Sequence, residues 1–198
     1  MILFINDSEK RPYKEFKKKY LEAMSKKQYY VEAISISSYC NEKKEVDSRF
    51  VNLKFLDKEK FIFFSNYKSP KASQFDSHNQ ISALIHWSKT NTQVRMKAKI
   101  KKMSKQFSEN YFANRAPEKN ALAISSHQSK KIKSYDHVIS NYNKVLVSQD
   151  LEKCPDYWGG YSFTPYYFEF WEGHDLRLNK REVYEKIEDN WHHFLVQP

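Results

Sequence analysis

The sequence predicts an α+β protein dominated by antiparallel β-strands, closed into a barrel or sandwich with helices at its side. Apolar and polar residues alternate in several short segments between residues 29 and 103, and a period of two is typical of half-buried strands. Short polar clusters separate these segments, and turns of that length join antiparallel neighbours. Apolar residues recur at helical spacing in residues 12–27 and 136–148, which predicts the flanking helices.

The N-terminal half is expected to contain one amphipathic helix followed by strands. Pro12 suits the first helical turn, and apolar residues recur from Tyr13 to Met24 with lysines on the remaining circumference. Five strands follow, at residues 29–37, 49–56, 60–65, 81–87 and 94–103. The last is the clearest, because four apolar residues alternate along it with four basic ones.

Residues 104–150 are expected to be a helical segment. Ser104 is a good N-cap for the first helix. That helix carries three larger side chains on one face: Phe107, Tyr111 and Arg115. Residues 119–134 are too polar for a core and are expected to form a loop that hydrogen-bonds a ligand. A second helix is expected at residues 136–148.

Two or three strands are expected to close the chain, at residues 166–171, 181–187 and 191–196. No repeat, low-complexity linker or boundary interrupts the sequence. A single domain over residues 1–198 is therefore expected, with barrel strands in 29–103 and C-terminal strands in 158–198.

The positive charge of the chain restricts its partners. Its 198 residues carry a formal net charge of +10, and the lysines are spread through every segment, which favours small anionic ligands over nucleic acid. No apolar run approaches a membrane span, so we expect a cytoplasmic protein with neither nucleic acid nor membrane as partner. Cys40 and Cys154 are far apart and the histidines show no ligand spacing, so neither a disulfide nor a metal site is expected.

Residues 158–181 are the most distinctive stretch. All three glycines of the chain lie in it, and glycine marks positions that need a positive φ or a close approach. Aromatic residues surround them, and Arg177 and Arg181 follow. Aromatic planes beside guanidinium groups suit a flat, phosphate-bearing ligand. A hairpin with core aromatics and solvated arginines is an equally open interpretation.

Eight phrases in this order resemble the pyridoxamine 5′-phosphate oxidase family. They are RFVNLK (49–54), FFSNYKSPK (63–71), QVR (93–95), YFANR (111–115), QS (128–129), WGGY (158–161), EFW (169–171) and RLNKR (177–181). The resemblance covers roughly residue 12 to the C-terminus. It implies an antiparallel, Greek-key-like FMN-binding split β-barrel with flanking helices, which forms a homodimer with FMN at the subunit interface.

The resemblance also implies which residues bind FMN. One subunit is expected to supply the run Arg49, Phe50, Val51, Asn52, Leu53 and Lys54, together with Phe64, Ser65, Lys71 and Gln93. The other subunit is expected to supply Gln128, Ser129, Trp171 and Arg181. The residue types agree with this, because Arg49 and Lys71 suit a phosphate tail and Gln93 offers an amide to the ring edge.

On the substrate side, the resemblance implies that Lys54, Tyr111, Arg115 and Lys119 bind the phosphate of a phosphorylated B6 vitamer. Arg177 and Asn179 are the expected catalytic residues, and both also bind substrate. Arg177 matches the arginine that sets the substrate ring for hydride transfer from C4′ to the flavin. O2 then reoxidises the flavin and yields hydrogen peroxide.

Four departures from the family pattern concern the ligands. Pro70 replaces an arginine, Lys119 a serine and Asn179 a histidine, and the family's basic N-terminal segment is missing or much shortened before Pro12. Asparagine cannot titrate near neutral pH, so a proton-handling role at position 179 would be lost. Besides the vitamin oxidase, two hypotheses stay open: a flavin oxidase of another substrate, such as the phenazine-pathway relatives, and a non-catalytic FMN- or pyridoxal-phosphate-binding protein. Nucleic-acid binding is a more distant fourth.

Overall fold

The computed structural model describes all residues, 1–198. The five helices are α1 (Arg11–Ser25), α2 (Pro70–Ser77), α3 (Lys105–Ala113), α4 (Pro117–Ser125) and α5 (Tyr135–Ser148). The ten strands are β1 (Leu3–Asn6), β2 (Ala33–Cys40), β3 (Glu45–Asn52), β4 (Phe55–Asp57), β5 (Lys60–Asn66), β6 (Gln80–Trp87), β7 (Thr92–Lys102), β8 (Trp158–Glu172), β9 (Lys180–Ile187) and β10 (Asn190–Leu195). No helix combines the length and apolarity that crossing a bilayer requires.

All ten strands belong to one sheet, in the order β1-β4-β5-β8-β7-β6-β2-β3, with β9 added to β8 and β10 to β9. Every pairing is antiparallel except that of β1 with β4. The long strand β8 organises the sheet, because its first half pairs with β5, its second half with β9, and β7 runs along its other side. The antiparallel meander predicted for residues 29–103 is only partly present. The hairpins β2–β3, β4–β5 and β6–β7 form, but β3 does not pair with β4, and β5 pairs with β8 instead of β6. Strand β2 pairs with β6, and β8 lies between β5 and β7.

The predicted N-terminal helix is present and covers the core. Tyr13, Phe16 and Tyr20 of α1 are buried, and their rings pack against Phe61 and Trp87 at centroid distances of 4.8–6.1 Å. Lys14 and Lys18 are exposed, as the pattern predicted. Lys19 is an exception, because it is buried and pairs with Glu172. Each buried aromatic side chain contributes about 2–3 kcal/mol of hydrophobic stabilisation, so α1 is anchored mainly by this stripe.

The glycines serve close packing and not unusual backbone angles. No glycine has a positive φ, so that half of the expectation was wrong. A Cβ on Gly159 would collide with the Tyr67 hydroxyl, and one on Gly173 would collide with the Asn91 amide. Both positions therefore need glycine for the close approach of a neighbouring side chain.

Several elements differ from their predicted form. Strand β1 and helices α2 and α4 were not expected, and α4 occupies part of the segment 119–134 that was predicted as loop. Strand β8 begins at Trp158, well before the predicted strand at 166–171. The N-cap at Ser104 is confirmed, since its hydroxyl accepts a hydrogen bond from the Phe107 N–H at 3.3 Å. However, α3 ends at Ala113, so Arg115 lies just beyond the helix on which it was placed.

Candidate active site

A cavity of about 670 Å³ opens beside the edge strand β3, with walls from β5, the start of α2 and the α3–α4 region. It collects most residues that the sequence predicted for cofactor and substrate: Arg49, Phe50, Val51, Asn52, Lys54, Phe64, Ser65, Lys71, Tyr111, Arg115, Lys119, Gln128 and Ser129. Leu53 belongs to the same run but is buried in the core, so its side chain does not face the cavity.

Arg49 is held in position at one end of this cavity by three neighbouring side chains. Its guanidinium donates to Ser38 Oγ at 2.6 Å, to Asp47 Oδ2 at 2.5 Å and to Gln74 Oε1 at 2.8 Å. Gln74 is buried on α2, and Ser38 also donates to its Oε1 atom. These bonds fix the orientation of the Arg49 guanidinium.

Lys71 places a second cation beside Arg49, in the first turn of α2. Its ammonium is buried, with the Ser69 hydroxyl as hydrogen-bond acceptor at 3.3 Å. Burial and the Arg49 guanidinium lower the pKa of Lys71 to about 8, although Asp47 opposes the shift. A phosphate here would neutralise this repulsion and meet the N–H groups of the helix terminus. This end of the cavity therefore fits the phosphate of FMN.

Lys54, Arg115 and Lys119 form a second group of cations in the same cavity. Burial lowers the pKa of Lys54, and the positive charges of Lys119 and Arg115 lower it further, whereas Glu32 raises it. Burial also lowers the pKa of Arg115. Because burial and two neighbouring positive charges disfavour the charged form of Lys54, this group indicates a second anion site.

An aromatic stack forms one wall between these groups and supports Arg115. The Phe64 ring lies parallel to Tyr111 at 3.9 Å and to Trp158 at 5.1 Å between centroids. The Arg115 guanidinium lies 5.0 Å from the Trp158 ring centroid and donates to Asn120 Oδ1 at 3.3 Å. Asn120 is itself buried and donates to two backbone carbonyl oxygens at 2.8 Å. Arg115 is therefore oriented by stacking and by a fixed amide.

Gln93, Trp171 and Arg181 form a separate cluster. They are paired residues on the adjacent strands β7, β8 and β9, and none of them lines the cavity. The sequence predicts Gln93 among the contacts from one subunit, and Gln128 and Ser129 with Trp171 and Arg181 among those from the other. Within one chain, the strand order places Gln93 next to Trp171, whereas Gln128 and Ser129 line the cavity.

The two predicted catalytic residues lie in the loop between β8 and β9, away from the cavity of their own chain. Arg177 has a φ of 61°, and its exposed side chain makes no hydrogen bond or ion pair within the chain. The loop is closed by backbone bonding of Arg177 N–H to His174 O at 2.8 Å and by Asn179 Oδ1, which accepts from His174 N–H at 3.0 Å. Asn179 thus has a structural contact that the sequence did not reveal.

Three side chains contribute to the site although the sequence predicted no role for them: Gln74, Trp158 and Asn120. Gln74 lies three residues after Lys71, so recognition of α2 would have placed both on one helical face. Trp158 belonged to a quoted phrase but was given no contact. Asn120 carries no sequence signal, because only the fold shows that its amide is buried beneath Arg115.

Comparisons with known proteins relate this geometry to a family. Residues 158–198 match the model of the pyridoxine 5′-phosphate oxidase C-terminal dimerisation region. The pyridoxine/pyridoxamine 5′-phosphate oxidase of Colwellia psychrerythraea is 35% identical over 170 residues, covering 84% of this chain and 77% of the relative. That of Coxiella burnetii is 33% identical over 181 residues, covering 91% and 92%.

Two solved structures share the architecture. PhzG from Burkholderia lata 383, in complex with tetrahydrophenazine-1-carboxylic acid, has a TM-score of 0.89 at 20% identity and covers 95% of this chain and 93% of its own. A pyridoxamine 5′-phosphate oxidase-related, FMN-binding protein from Nostoc punctiforme PCC 73102 has a TM-score of 0.79 at 13% identity and covers 96% and 99%. At these identities the likeness concerns the fold.

The molecule is thus an FMN-binding split barrel, which confirms the predicted fold class. The chain belongs to the pyridoxine/pyridoxamine 5′-phosphate oxidase family. Family membership makes it an oxidoreductase and confirms FMN, the cofactor that the sequence predicted. The matched dimerisation region supports a homodimer, and it contains Trp171, Arg177, Asn179 and Arg181.

Proposed function

We propose that this protein is an FMN-dependent oxidase that converts pyridoxamine or pyridoxine 5′-phosphate to pyridoxal 5′-phosphate. For the amine, substrate, O2 and water yield the aldehyde, ammonia and hydrogen peroxide. One observation carries the proposal, namely two groups of cations in one cavity. Arg49 and Lys71 suit the phosphate of FMN, and the group of Lys54, Arg115 and Lys119 suits the phosphate of a substrate.

The proposal distributes the FMN contacts over two subunits. The phosphate binds Arg49 and Lys71, and the cavity residues Ser65, Gln128 and Ser129 supply further polar groups. The half-buried cluster of Gln93, Trp171 and Arg181, the last two of which lie in the matched dimerisation region, would close the cofactor site of the partner. This arrangement explains why the polar and aromatic contacts expected for one ligand lie on two separate surfaces of one chain.

In this mechanism the protein supplies binding and orientation. Lys54, Arg115 and Lys119 hold the substrate phosphate, and the parallel rings of Phe64 and Tyr111 bound the cavity beside it. Arg177, presented by the loop of the partner subunit, holds the substrate ring so that C4′ faces the flavin. FMN, when bound, supplies the hydride acceptor and passes the electrons to O2.

Lys119→Ser tests the third cation of the substrate site. Lys119 is exposed, so its charge contributes about 1 kcal/mol to phosphate binding. We expect KM for pyridoxamine 5′-phosphate to rise about fivefold with kcat unchanged. Screening should reduce this difference at high ionic strength. Lys119→Arg, which retains the charge, is the matched control, and an equal rise in both variants would contradict the role of the charge.

Lys71 predicts how FMN binding depends on pH. The pKa of Lys71 is lowered to about 8 in the FMN-free protein, and a bound phosphate raises it, so binding above pH 8 requires uptake of a proton. FMN affinity should therefore fall as pH rises, by about tenfold between pH 7 and pH 9. Titration of the apoprotein by flavin fluorescence measures this dependence. Lys71→Arg should bind FMN with a flat profile over the same range, and a flat wild-type profile would contradict the assignment.

Anaerobic mixing of the FMN-loaded protein with pyridoxamine 5′-phosphate tests the proposed reaction. We expect rapid bleaching of the visible flavin absorption, its return on admission of oxygen, and one hydrogen peroxide per pyridoxal 5′-phosphate. Reduction by another compound alone, such as the tetrahydrophenazine-1-carboxylic acid found in complex with the Burkholderia lata protein, would favour a flavin oxidase of another substrate. FMN that stays oxidised with every substrate would indicate a binding protein without turnover.

A further inference from the structure

Glu169 is a buried carboxylate that joins three strands of the sheet. It lies on β8, where it pairs with Arg95 of β7, and only 3% of its surface is exposed. Both of its oxygens are occupied. Oε2 accepts hydrogen bonds from Arg95 and from the Tyr167 hydroxyl, the latter at 2.9 Å. Oε1 accepts one from Arg181 Nε of β9 and forms an ion pair with Nη2 of the same guanidinium.

The environment keeps this carboxylate ionised. Burial alone would raise the pKa of Glu169, but hydrogen bonds from Tyr167 and Arg181 and the positive charges of Arg95 and Arg181 outweigh it, so the pKa is lowered. A buried carboxylate satisfied on both oxygens is a rigid element, because moving it away from both arginines would leave a buried charge without a partner.

Glu169 fixes the orientation of the Arg181 guanidinium. Arg181 Nε lies 2.9 Å and its Nη2 atom 2.8 Å from Oε1 of Glu169, while Nη1 donates to the carbonyl of Gln197 at 2.8 Å. A guanidinium has five N–H groups in a fixed plane. Two of them, on Nε and Nη1, donate hydrogen bonds within the chain, so three remain for a ligand. The contacts with Glu169 and Gln197 fix the plane in which these groups lie.

We propose that Glu169 is a positioning residue for FMN recognition, which acts by holding the free N–H groups of Arg181 towards the cofactor bound by the partner subunit. The inference rests on the proposed function, in which Arg181 contacts FMN. Glu169 touches no ligand itself. Without its charge, Arg95 and Arg181 would lose their shared counter-ion and Arg181 would be free to rotate away.

The test is a double-mutant cycle on FMN affinity. Glu169→Gln preserves size but removes the charge, and we expect the Kd of the apoprotein dimer for FMN to rise about 30-fold. In the Arg181→Met background the same substitution should change Kd less than twofold, because its effect passes through Arg181. A merely structural role would lower stability and weaken FMN binding to the same extent in both backgrounds, and this result would overturn the proposal.

Two further variants keep the test decisive. Tyr167→Phe removes a hydrogen bond to the other oxygen of Glu169 and should leave Kd within twofold of wild type. Glu169→Asp retains the charge on a shorter side chain, and we expect it to raise Kd about fivefold. It replaces Glu169→Gln in the test if that variant does not fold. Wild-type protein that fails to bind FMN would refute the proposed function. Wild-type affinity that persists in Glu169→Gln or, if that variant does not fold, in Glu169→Asp would refute only the positioning role.

Discussion

Arg177→Ala is expected to lower kcat for pyridoxamine 5′-phosphate by about 100-fold while FMN stays bound. The exposed guanidinium has no partner within its own chain, so its interactions are available to the substrate. A charged group that orients a reacting ring acts mainly in the transition state. Its loss should therefore appear in kcat, measured by single-turnover reduction of the flavin, with a smaller change in KM.

The backbone at this position requires a control of its own. Arg177 has a φ of 61°, a conformation that costs side-chain-bearing residues about 1 kcal/mol or more. Arg177→Gly relieves this cost, so equal losses in the glycine and alanine variants would assign the effect to the guanidinium. Lys180→Ala removes an exposed cation at the start of β9 and should retain full turnover. Unchanged turnover in Arg177→Ala would exclude the proposed role.

Strands with one buried and one solvent-exposed face were the easiest elements to predict. The period of two along β7 placed a strand at residues 94–103, against Thr92–Lys102 in the structure. The first half of β8 was missed because it is buried on both faces, so no alternation remains to be detected. Pro70 is in the first turn of α2, a position that favours proline, but the eight-residue helix is too short to show a clear period.

The members of the site were predictable from local phrases, but their grouping was not. Thirteen residues assigned from the sequence line one cavity, because neighbouring residues in short runs stay together in any fold. The place of Gln93 depends on strand order. Only the insertion of β8 beside β7 and β9 brings it to Trp171 and Arg181. Long-range pairings of this kind carry no local sequence signal.

Buried polar side chains were the part of the site that sequence analysis could not supply. Gln74 and Asn120 each accept a hydrogen bond from an arginine that faces the cavity, and Glu169 does the same for Arg181. The three arginines were predicted as ligand contacts, whereas the residues that orient them were not. An arginine side chain keeps one orientation only if its hydrogen-bond partner is itself held in place by the core.

Arg115→Met is the second variant with a large expected effect. The guanidinium is stacked on Trp158 and held by Asn120, so it is fixed in the cavity before the substrate binds. A charge-assisted bond to phosphate contributes about 2–3 kcal/mol, and methionine retains most of the apolar contact with the ring. We expect kcat/KM for pyridoxamine 5′-phosphate to fall about 50-fold or more, mainly through KM.

The matched control for Arg115→Met is Lys105→Met on the same helical segment, where the cation is exposed and pairs with Asp156 outside the cavity. Its kcat/KM should stay within twofold of wild type. The charge of the substrate sharpens the test, because pyridoxamine without its phosphate should react equally slowly with wild type and Arg115→Met. If the substitution lowers kcat/KM for the unphosphorylated amine as much as for the phosphate ester, Arg115 orders the cavity and does not bind phosphate. If the substitution lowers kcat/KM only for the ester, the second cation group is the phosphate site. A preference of the enzyme for phosphorylated vitamers would then follow from this group.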